Sequence, residues 1–423
     1  MTLTPAAVAA VDTAIEAQND AGVERFIDLH RHPELGFMEE RTAAIVADRL
    51  RELGYAVTTG LGGTGVAGVL RNGDGPTVMY RADMDANAVA EASGRPYAST
   101  VRVTRPDGTE SPVAHQCGHD AHVTWMLAMA QFLAEHPDLW AGTAVLVGQP
   151  AEELIAGAKA VVAGGLYDAV PVPDQLIGFH TAAIPVGTVL VSGGTLMAGT
   201  DQLDVRILGH GGHGSAPHQT QDPIAMAGQA IVQYQSIVSR MIDPSATAVL
   251  TVGAVQAGAD NNVIPDDALL KLNLRWFDPA VRERMLRGIR DTTDGIARTF
   301  GVAGDRMPQY TMKGGSTPLV NDPALATRLA DALSGVLGED SIVRSVRPFT
   351  GSEDVHLLTG PHHDIEFTYM MIGVADPDVC AAAAAEGREF PYAPHSPEFY
   401  VDLAAIPVGA RIACYAMLEL LGV

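Results

Sequence analysis

VTWMLAMAQFLAEHPDLWAGTAVLVGQPAEE, residues 123–153, is the stretch of sequence that decides the fold. Its first part, 123–136, is apolar over the length of a helix and predicts a mostly buried helix. Residues 142–153 form a continuous apolar run that ends in acids, which predicts a buried strand. A buried helix followed by a buried strand is typical of an α/β sheet that is covered on both faces.

The same alternation is predicted towards both ends of the chain. The predicted helices are at 1–20, 42–57 (ending at Gly54), 157–166, 323–338 and 403–421, and the predicted strands are at 65–70, 76–85, 174–182 and 367–373. The Ala-rich segment 380–387 is expected to be a loop or a short helix. In such sheets, chemistry collects where strands end and loops begin.

The middle of the chain has a different pattern. Predicted strands at 201–209, 246–258 and 267–277 alternate with long predicted helices at 222–242 and 279–300, and a short strand at 308–313 closes the set. This order resembles a ferredoxin-like split βαβ unit. The sequence therefore predicts an α/β domain formed by 1–197 and 313–423, interrupted by an inserted α+β domain at 198–312.

Composition excludes several classes of protein. The chain has 423 residues and a net charge of −23, which makes nucleic acids and anionic membranes poor partners. The chain has three cysteines (Cys117, Cys380 and Cys414), and this small, odd number argues against a disulfide framework and fits a reducing cytoplasm. The N-terminus lacks the basic start of a signal peptide, and no apolar run is long enough to predict a membrane span.

HQCGHDAH (115–122) places Cys117 among three histidines. The thiol is a candidate nucleophile, with His115 or His119 as its base, or a candidate metal ligand. A neighbouring Asp120 would raise the pKa of the thiol, whereas a metal ion would deprotonate it directly, so the chemistry favours the metal ligand.

Paired acids occur at two predicted strand ends. Adjacent Glu152 and Glu153 would point to opposite faces, so that one binds a metal and the other faces a substrate water; the alternative is a solvated strand end. Asp83 and Asp85 are two residues apart and would share one face. They would hold a metal or a histidine, or else pair with Arg81 or cap the next turn.

His180 ends another predicted strand and His395 lies in a predicted loop. Each alone is more often an ordinary hydrogen-bonded histidine. Together with Cys117, His119 and Glu153, they form a set of soft and borderline ligands that suits zinc, manganese or cobalt better than calcium or magnesium.

Other motifs exclude competing chemistries. GLGGTGVAG (60–68) fits G-x-G-x-x-G but lies between predicted strands, so a glycine-rich turn is favoured over a nucleotide site. No G-x-S-x-G elbow, Walker loop or H-E-x-x-H helix occurs in the sequence.

An ordered set of motifs resembles the amidohydrolase branch of the di-metal aminoacylase and carboxypeptidase family, over residues 20 to 420. That branch includes hippurate hydrolases, auxin-conjugate hydrolases and bacterial N-acyl-amino-acid hydrolases. The motifs are LHRHPELGFMEERTA, YRADMDA, QCGHDAH, GQPAEE followed by GAKA, GFHT, GHGGHGSAPHQTQDPI, NNVIPD and GSEDV.

The resemblance implies a di-metal exopeptidase-like catalytic domain with an inserted lid that commonly dimerises. It implies two divalent ions per chain, zinc or manganese, with cobalt or nickel as alternatives. Cys117 would bridge them, with Glu152 as the general base and Asp85, with or without Asp83, orienting a ligand. The implied ligands are Cys117, His119, Glu153, His180 and His395.

The resemblance also assigns roles to the lid. His213 would stabilise the oxyanion in the partner subunit's site, and Asn262 and Arg275 would contact the substrate carboxylate. The alternatives are a turn residue for His213 and a sheet-surface charge for Arg275.

The chain departs from the branch's usual pattern around the site. Asn87 and Ala88 replace Leu and Pro, Gln116 replaces Ala, and Leu154 and Ile155 stand where glycines are common, while segments 101–113 and 374–399 are longer than usual. These departures affect substrate choice rather than the reaction.

The expected function is therefore metal-dependent hydrolysis of the amide bond of N-acyl-amino acids, by a homodimer. The alternatives are a dipeptidase or carboxypeptidase on the same site, a metal-dependent binding protein that has lost catalysis, and a thiol hydrolase that uses Cys117.

Overall fold

The computed structural model describes residues 3–105 and 108–422, and the chain divides into two compact units. The larger unit consists of the chain up to Leu196, Val320–Arg347 and the chain from Asp354 onward. The smaller unit consists of Met197–Leu319 and Pro348–Glu353. Residues 1, 2, 106 and 107, which belong to the predicted N-terminal helix and to the longer segment 101–113, lie outside the described residues.

The first passage through the larger unit carries five α-helices and most of its strands. These are α1 (Pro5–Arg31), α2 (Glu40–Glu52), β1 (Ala56–Leu61), β2 (Gly65–Asn72), β3 (Thr77–Asp83), β4 (Arg102–Thr104), β5 (Glu110–Pro112), α3 (His119–Glu135), β6 (Gly142–Gln149), α4 (Gly157–Ala163), α5 (Leu166–Ala169), β7 (Gln175–Pro185), β8 (Val189–Leu190) and β9 (Gly194–Met197).

The smaller unit has the predicted order of elements. These are β10 (Gly199–Leu208), β11 (Gly212–His213), α6 (Pro223–Ser236), β12 (Ala248–Ala257), β13 (Val263–Ile264), β14 (Asp267–Trp276), α7 (Pro279–Thr299) and β15 (Gln309–Ser316).

The chain then returns to the larger unit, where the remaining helices cover its sheet. These elements are β16 (Leu319–Asn321), α8 (Pro323–Leu337), β17 (Ile342–Val343), β18 (Glu366–Ala375), α9 (Pro377–Ala385) and α10 (Ala405–Leu421).

A mixed sheet of eight strands, in the order β1-β2-β6-β3-β7-β18-β8-β17, forms the centre of the larger unit. Strands β6, β3, β7 and β18 run parallel, and β1 and β2 are antiparallel additions at one edge. Apolar side chains of β3, β6 and β7 are buried, as expected for strands covered by helices. The predicted α/β fold is confirmed.

Helix α3 is buried along most of its length, which explains why its sequence lacks a polar face. It packs against α1 and α10, and Trp125 on α3 donates a hydrogen bond to the Ala405 carbonyl at 3.2 Å. Gly409 on α10 accommodates this indole, because a Cβ there would lie 2.1 Å from a ring carbon. This close packing holds the N-terminal end of α3, where the HQCGHDAH motif lies.

A four-stranded antiparallel sheet, in the order β12-β14-β10-β15, forms the smaller unit together with α6 and α7. Its core consists of alternate residues of the strands, such as Val205 and Leu270, with Met226 and Ile289 from the helices. Helix α6 ends at Ser236 and continues as a π turn over Ile237–Met241.

Several predicted ends were wrong, and two of them affect the site. The strand predicted over 142–153 ends at Gln149, so Glu152 and Glu153 lie beyond it. The strand predicted over 76–85 ends at Asp83, so alternation along a strand does not place Asp85. The helix predicted at 123–136 begins earlier, at His119. The 380–387 segment lies largely in helix α9, and the glycine-rich segment 60–68 forms the β1–β2 hairpin, as predicted.

The smaller unit extends beyond the 198–312 boundaries of the predicted inserted domain. Strand β15 pairs with β10 as far as Ser316, and the N–H of Ala198 donates to the carbonyls of Phe349 and Gly351. Among the described residues, no helix is both long enough and apolar enough to cross a membrane.

Candidate metal centre

The turn before α3 brings Cys117 to the end of the central sheet. Gly118 has a φ of 79°, and a Cβ there would lie 2.7 Å from Thr181 in β7, so only glycine fits without strain. Strand β7 continues to Pro185, so His180 lies within the strand and not at its predicted end. The Thr181 hydroxyl donates to the Cys117 carbonyl at 2.6 Å. Cys117 Sγ then lies 3.4 Å from His180 Nε2.

Both histidines of this part of the site are oriented through Nδ1. His119 Nδ1 lies 2.8 Å from the Asp85 carbonyl, and His180 Nδ1 lies 2.7 Å from the Thr181 carbonyl. Each Nδ1 therefore donates, which leaves each Nε2 as the nitrogen that could coordinate a metal ion. His119 Nε2 is buried, has no hydrogen-bond partner among the described residues, and lies 3.9 Å from a carboxylate oxygen of Glu152 and of Glu153.

The two glutamates lie in a tight turn after β6, not on a strand. Ala151 and Ile155 have left-handed φ angles of 49° and 52°, and the Ile155 N–H donates to the Glu152 carbonyl at 2.6 Å. The Glu153 N–H donates to Asp85 Oδ2 at 2.9 Å. Asp85 thus contacts both His119 and Glu153, and the turn sends both glutamate side chains towards His119.

His395 approaches from a loop between α9 and α10. Its side chain is half-exposed, and its Nε2 lies 3.2 Å from Glu153 Oε1. Its φ of 62° is left-handed, a conformation that a non-glycine residue adopts only when its surroundings hold it.

All five predicted ligands converge. Together with Glu152, they form three groups, and within each group the ligand atoms lie within 4.8 Å of one another: Cys117, His119 and His180; Cys117, Glu153 and His395; and His119, Glu152 and Glu153. Burial raises the pKa of the Cys117 thiol, and the Glu153 and Glu152 carboxylates raise it further, so the free thiol is a poor nucleophile here. The site thus combines a thiol, imidazoles and carboxylates, and His119 Nε2 has no hydrogen-bond partner among the described residues. Such a donor set fits divalent metal ions.

Asp83 pairs with Arg81, as the alternative interpretation of the paired aspartates predicted. Its Oδ2 accepts from Arg81 Nη1 at 2.6 Å, and its Oδ1 lies 2.5 Å from His122 Nδ1. His122 Nε2 accepts the N–H of Thr181 at 2.8 Å. With both nitrogens of His122 engaged, this residue supports the sheet end that carries His180.

Two buried polar residues of this supporting network, Gln149 and Asp354, were not predicted from the sequence. Arg81 Nε donates to Gln149 Oε1 at 2.9 Å, and Gln149 Nε2 donates to Asp354 Oδ1 at 2.6 Å. Asp354 lies in the GSEDV motif but outside the strands, and no local pattern assigns it a role. The available signal for Gln149 was a polar residue at the end of an otherwise apolar strand.

The sequence of this chain matches the protein family described as "Peptidase family M20/M25/M40" over residues 79–419. The chain belongs to this family. The match confirms the resemblance drawn from the motifs.

Individual M20 relatives cover most of the chain. Hippurate hydrolase of Campylobacter jejuni is 36% identical over 330 residues, which are 77% of this chain and 82% of that protein. Thermostable carboxypeptidase 1 of Saccharolobus solfataricus is 32% identical over 389 residues, 90% of this chain and 91% of that protein. The crystal structure of the Bacillus subtilis YXEP protein, described as a dinuclear metal-binding peptidase of the M20 family, superimposes with a TM-score of 0.72 at 28% identity, covering 96% of this chain and 99% of that one.

The other predicted residues of this M20 chain lie in the smaller unit. His213 and Asn262 are exposed neighbours on the β11–β13 ribbon, where the Gly214 N–H donates to the Asn262 carbonyl at 2.7 Å. His213 Nδ1 accepts the N–H of Ser215 at 3.1 Å, so its Nε2 points away from the turn as the N–H donor. Arg275 lies on β14 and donates to Asn273 and Ser352.

Proposed function

We propose that this chain hydrolyses the amide bond of N-acyl-amino acids, releasing a carboxylic acid and a free amino acid. The observation that carries the proposal is the convergence of the Cys117, His119, Glu153, His180 and His395 ligand atoms beside the Glu152 carboxylate. The name of the hippurate hydrolase relative supports the substrate class.

Two divalent ions are the proposed cofactors, zinc or manganese, with cobalt or nickel as alternatives. The mixed sulfur, nitrogen and oxygen donors favour this group over calcium and magnesium. Cys117 would be shared by both ions, because it belongs to a group with His119 and to a group with His395. When bound, the ions supply Lewis acidity, which polarises an amide carbonyl and acidifies a water.

Glu152 is the proposed general base. Its carboxylate lies 3.9 Å from His119 Nε2, within the ligand set, and belongs to the turn that places Glu153. An oxygen of this carboxylate would take the proton of the attacking water and then deliver it to the leaving nitrogen. Asp85 would act indirectly, by keeping His119 Nδ1 protonated and the Glu153 backbone in place.

The smaller unit would complete the site as part of a homodimer. His213, through Nε2, would stabilise the oxyanion of the partner subunit's reaction, and Asn262 and Arg275 would bind the substrate carboxylate. Two features support a dimer through this unit: β12 is an edge strand of its sheet, and Val255 on β12 and Val232 on α6 are exposed apolar residues. We propose a reducing cytoplasm as the compartment, in keeping with three free cysteines.

A carboxypeptidase or dipeptidase using the same residues is the second candidate, because a carboxypeptidase is among the relatives. A substrate panel separates the two. Benzoyl- and acetyl-amino acids are compared with dipeptides that have a free amino terminus, and the class with the higher kcat/KM identifies the activity.

The first experiment measures the metal content of purified protein and its amide hydrolysis before and after chelation. We expect about two ions per chain, loss of activity on chelation, and recovery with zinc or manganese. A chelated protein that still hydrolyses amides, and that alkylation of Cys117 inactivates, would favour the thiol hydrolase. Substrate binding without turnover by metal-loaded protein would favour a binding protein.

A further inference from the structure

Gln116 is a buried residue that joins the two loops carrying Cys117 and His395. Its side-chain Nε2 donates to the Pro397 carbonyl at 2.9 Å, and its own carbonyl accepts the N–H of His395 at 2.7 Å. It directly precedes Cys117. One residue therefore connects the ligand at the start of α3 with the ligand from the C-terminal loop, although 278 positions separate Cys117 and His395 in the sequence.

The loop that carries His395 has a turn of its own, in which the Ser396 N–H donates to the Ala393 carbonyl at 3.2 Å. The His395 side chain is half-exposed and its φ is left-handed, so burial contributes little to its orientation and its surroundings must hold its backbone. The Pro397 carbonyl also accepts the N–H of Ala92 at 2.7 Å. Gln116 supplies the hydrogen bonds on either side of Ser396, and it thereby restrains the backbone at the ligand itself.

Stability alone does not explain an amide at this position. Gln116 Oε1 is buried and has no hydrogen-bond partner among the described residues, which is unfavourable for folding. The flipped amide would place Oε1 against the Pro397 carbonyl, oxygen to oxygen, so the orientation with Nε2 facing Pro397 is the favourable one. The Pro397 carbonyl would keep its bond from Ala92 if Gln116 were absent.

We propose that Gln116 is a positioning residue for metal binding, which holds the His395 loop against the Cys117 turn so that His395 Nε2 stays beside Glu153 Oε1. The proposal rests on the ligand set of the proposed function. Residues that orient metal ligands from outside the ligand set typically change metal affinity about 10- to 100-fold when they are replaced. Gln116 stands where the family branch usually has alanine, so this tether is a feature of this chain.

The test is the Gln116→Met variant, which keeps the side-chain volume and removes the donor. Chelated full-length protein is titrated with Zn²⁺ alone and with Mn²⁺ alone, and no substrate is present. We expect the affinity for one of the two ions to fall about 10- to 100-fold while the other ion binds as in the wild type. The melting temperature of the chelated variant should be unchanged or higher, because an unpaired buried oxygen has been removed.

Gln131→Met is the matched control. Gln131 is also a glutamine of α3, but its amide accepts from Arg49 and donates to Glu135, and neither of these residues belongs to the ligand set. The Gln131→Met variant should bind Zn²⁺ and Mn²⁺ with the same affinities as the wild type. Gln116→Glu is a second variant, which keeps the length of the side chain but cannot donate to Pro397, and it should lose affinity for the same single ion.

Three results would overturn the proposal: equal affinities in wild type and Gln116→Met, loss of both ions together with a lower melting temperature of the chelated protein, or a wild-type protein that binds fewer than two ions. The titration is independent of catalysis. A wild type that binds two ions, loses one selectively in Gln116→Met and hydrolyses no acyl-amino acid would contradict the proposed function and leave the role of Gln116 intact.

Discussion

Glu39 Oε1 accepts the backbone N–H of Ala151 at 2.8 Å, so a residue at the start of α2 holds the turn that carries Glu152 and Glu153. The same oxygen accepts the N–H of Phe37 at 3.0 Å, and the other oxygen accepts the Thr64 hydroxyl at 2.5 Å. Ala151 and Phe37 both have left-handed φ angles. A single, fully buried carboxylate thus stabilises two unfavourable backbone conformations, one of which leads directly into the turn that carries Glu152 and Glu153.

Replacing Glu39 by alanine should therefore lower both stability and activity. The buried N–H of Ala151 would lose its acceptor, which costs about 1–3 kcal/mol in the free energy of unfolding, and a looser turn should lower kcat about 10-fold or more. Glu39→Gln should recover most of both losses, since its amide oxygen still accepts the two N–H groups. Denaturant unfolding and steady-state kinetics measure the two effects.

Glu34→Ala is the control for this prediction. Glu34 is a comparable carboxylate that accepts the N–H groups of Arg41 and Thr42, but it does not bond to the Ala151 turn. The Glu34→Ala variant should be less stable than the wild type, with little change in kcat for the folded fraction. An equal drop in kcat for the Glu34 and Glu39 variants would show that the effect of Glu39 is general destabilisation.

Glu152→Gln should separate metal binding from proton transfer. The amide cannot take a proton from water, so turnover should fall about 100- to 10,000-fold. The ligand atoms of Cys117, His119, Glu153, His180 and His395 remain, so metal content should stay at the wild-type level. A Glu152→Gln protein with near-wild-type turnover would contradict the base assignment, and one without metal would make Glu152 a ligand.

Mixing two inactive variants should test whether His213 acts in the partner's site. His213→Ala and Glu152→Gln homodimers should each be nearly inactive. After subunit exchange of equal amounts, half of the dimers are mixed and each mixed dimer has one intact site, so activity should recover to about a quarter of the wild-type level. Two copies of the same variant mixed under identical conditions are the control. No recovery, despite mass-spectrometric detection of the mixed dimer, would place His213 in its own subunit's site or outside catalysis.

His30 should make folding stability depend on pH. Its Nδ1 lies 2.7 Å from Asp120 Oδ2 on α3, and its Nε2 lies 3.1 Å from the Glu91 carboxylate, with the Tyr97 ring packed against it. Burial alone would lower the pKa of His30, but these two carboxylates outweigh it and raise the pKa to about 9. A raised pKa stabilises the fold fully below the unfolded value near 6.5, and this stabilisation is lost as pH rises through about 9.

The measurement is the melting temperature of chelated wild type and His30→Gln between pH 6 and 9.5, so that metal binding does not contribute. The wild type should be more stable by roughly 3 kcal/mol at pH 6, and the difference should shrink as pH rises from about 6.5 towards about 9. Burial raises the pKa values of Glu91 and Asp120, but His30 outweighs it for Glu91, and His115 together with His30 outweighs it for Asp120. Both carboxyl groups therefore have lowered pKa values and stay ionised over this range. A difference that is constant with pH would mean that His30 is neutral in the fold.

Most helices and strands could be predicted from the sequence because their hydrophobic patterns are local. The apolar run of β6, the periodicity of α2 and α8 and the strand–helix order of the smaller unit reflect which side chains are buried. The predicted ends of β3 and β6 were wrong. After β6, the chain turns at the left-handed Ala151, whose N–H is held by Glu39, 112 residues away in the sequence, and no local pattern encodes such a contact.

The sequence by itself determined the chemical types at the site: one thiol, three imidazoles and two adjacent carboxylates in motifs at the ends of predicted strands and in loops. Only the tertiary structure decided how they divide their work. It pairs Asp83 with Arg81 and His122, directs Asp85 to His119 and Glu153, and ties His395 to Gln116. The physical reason is that donor identity is a property of each residue, whereas lone-pair direction and hydrogen-bond partners depend on groups that meet only when distant segments pack together.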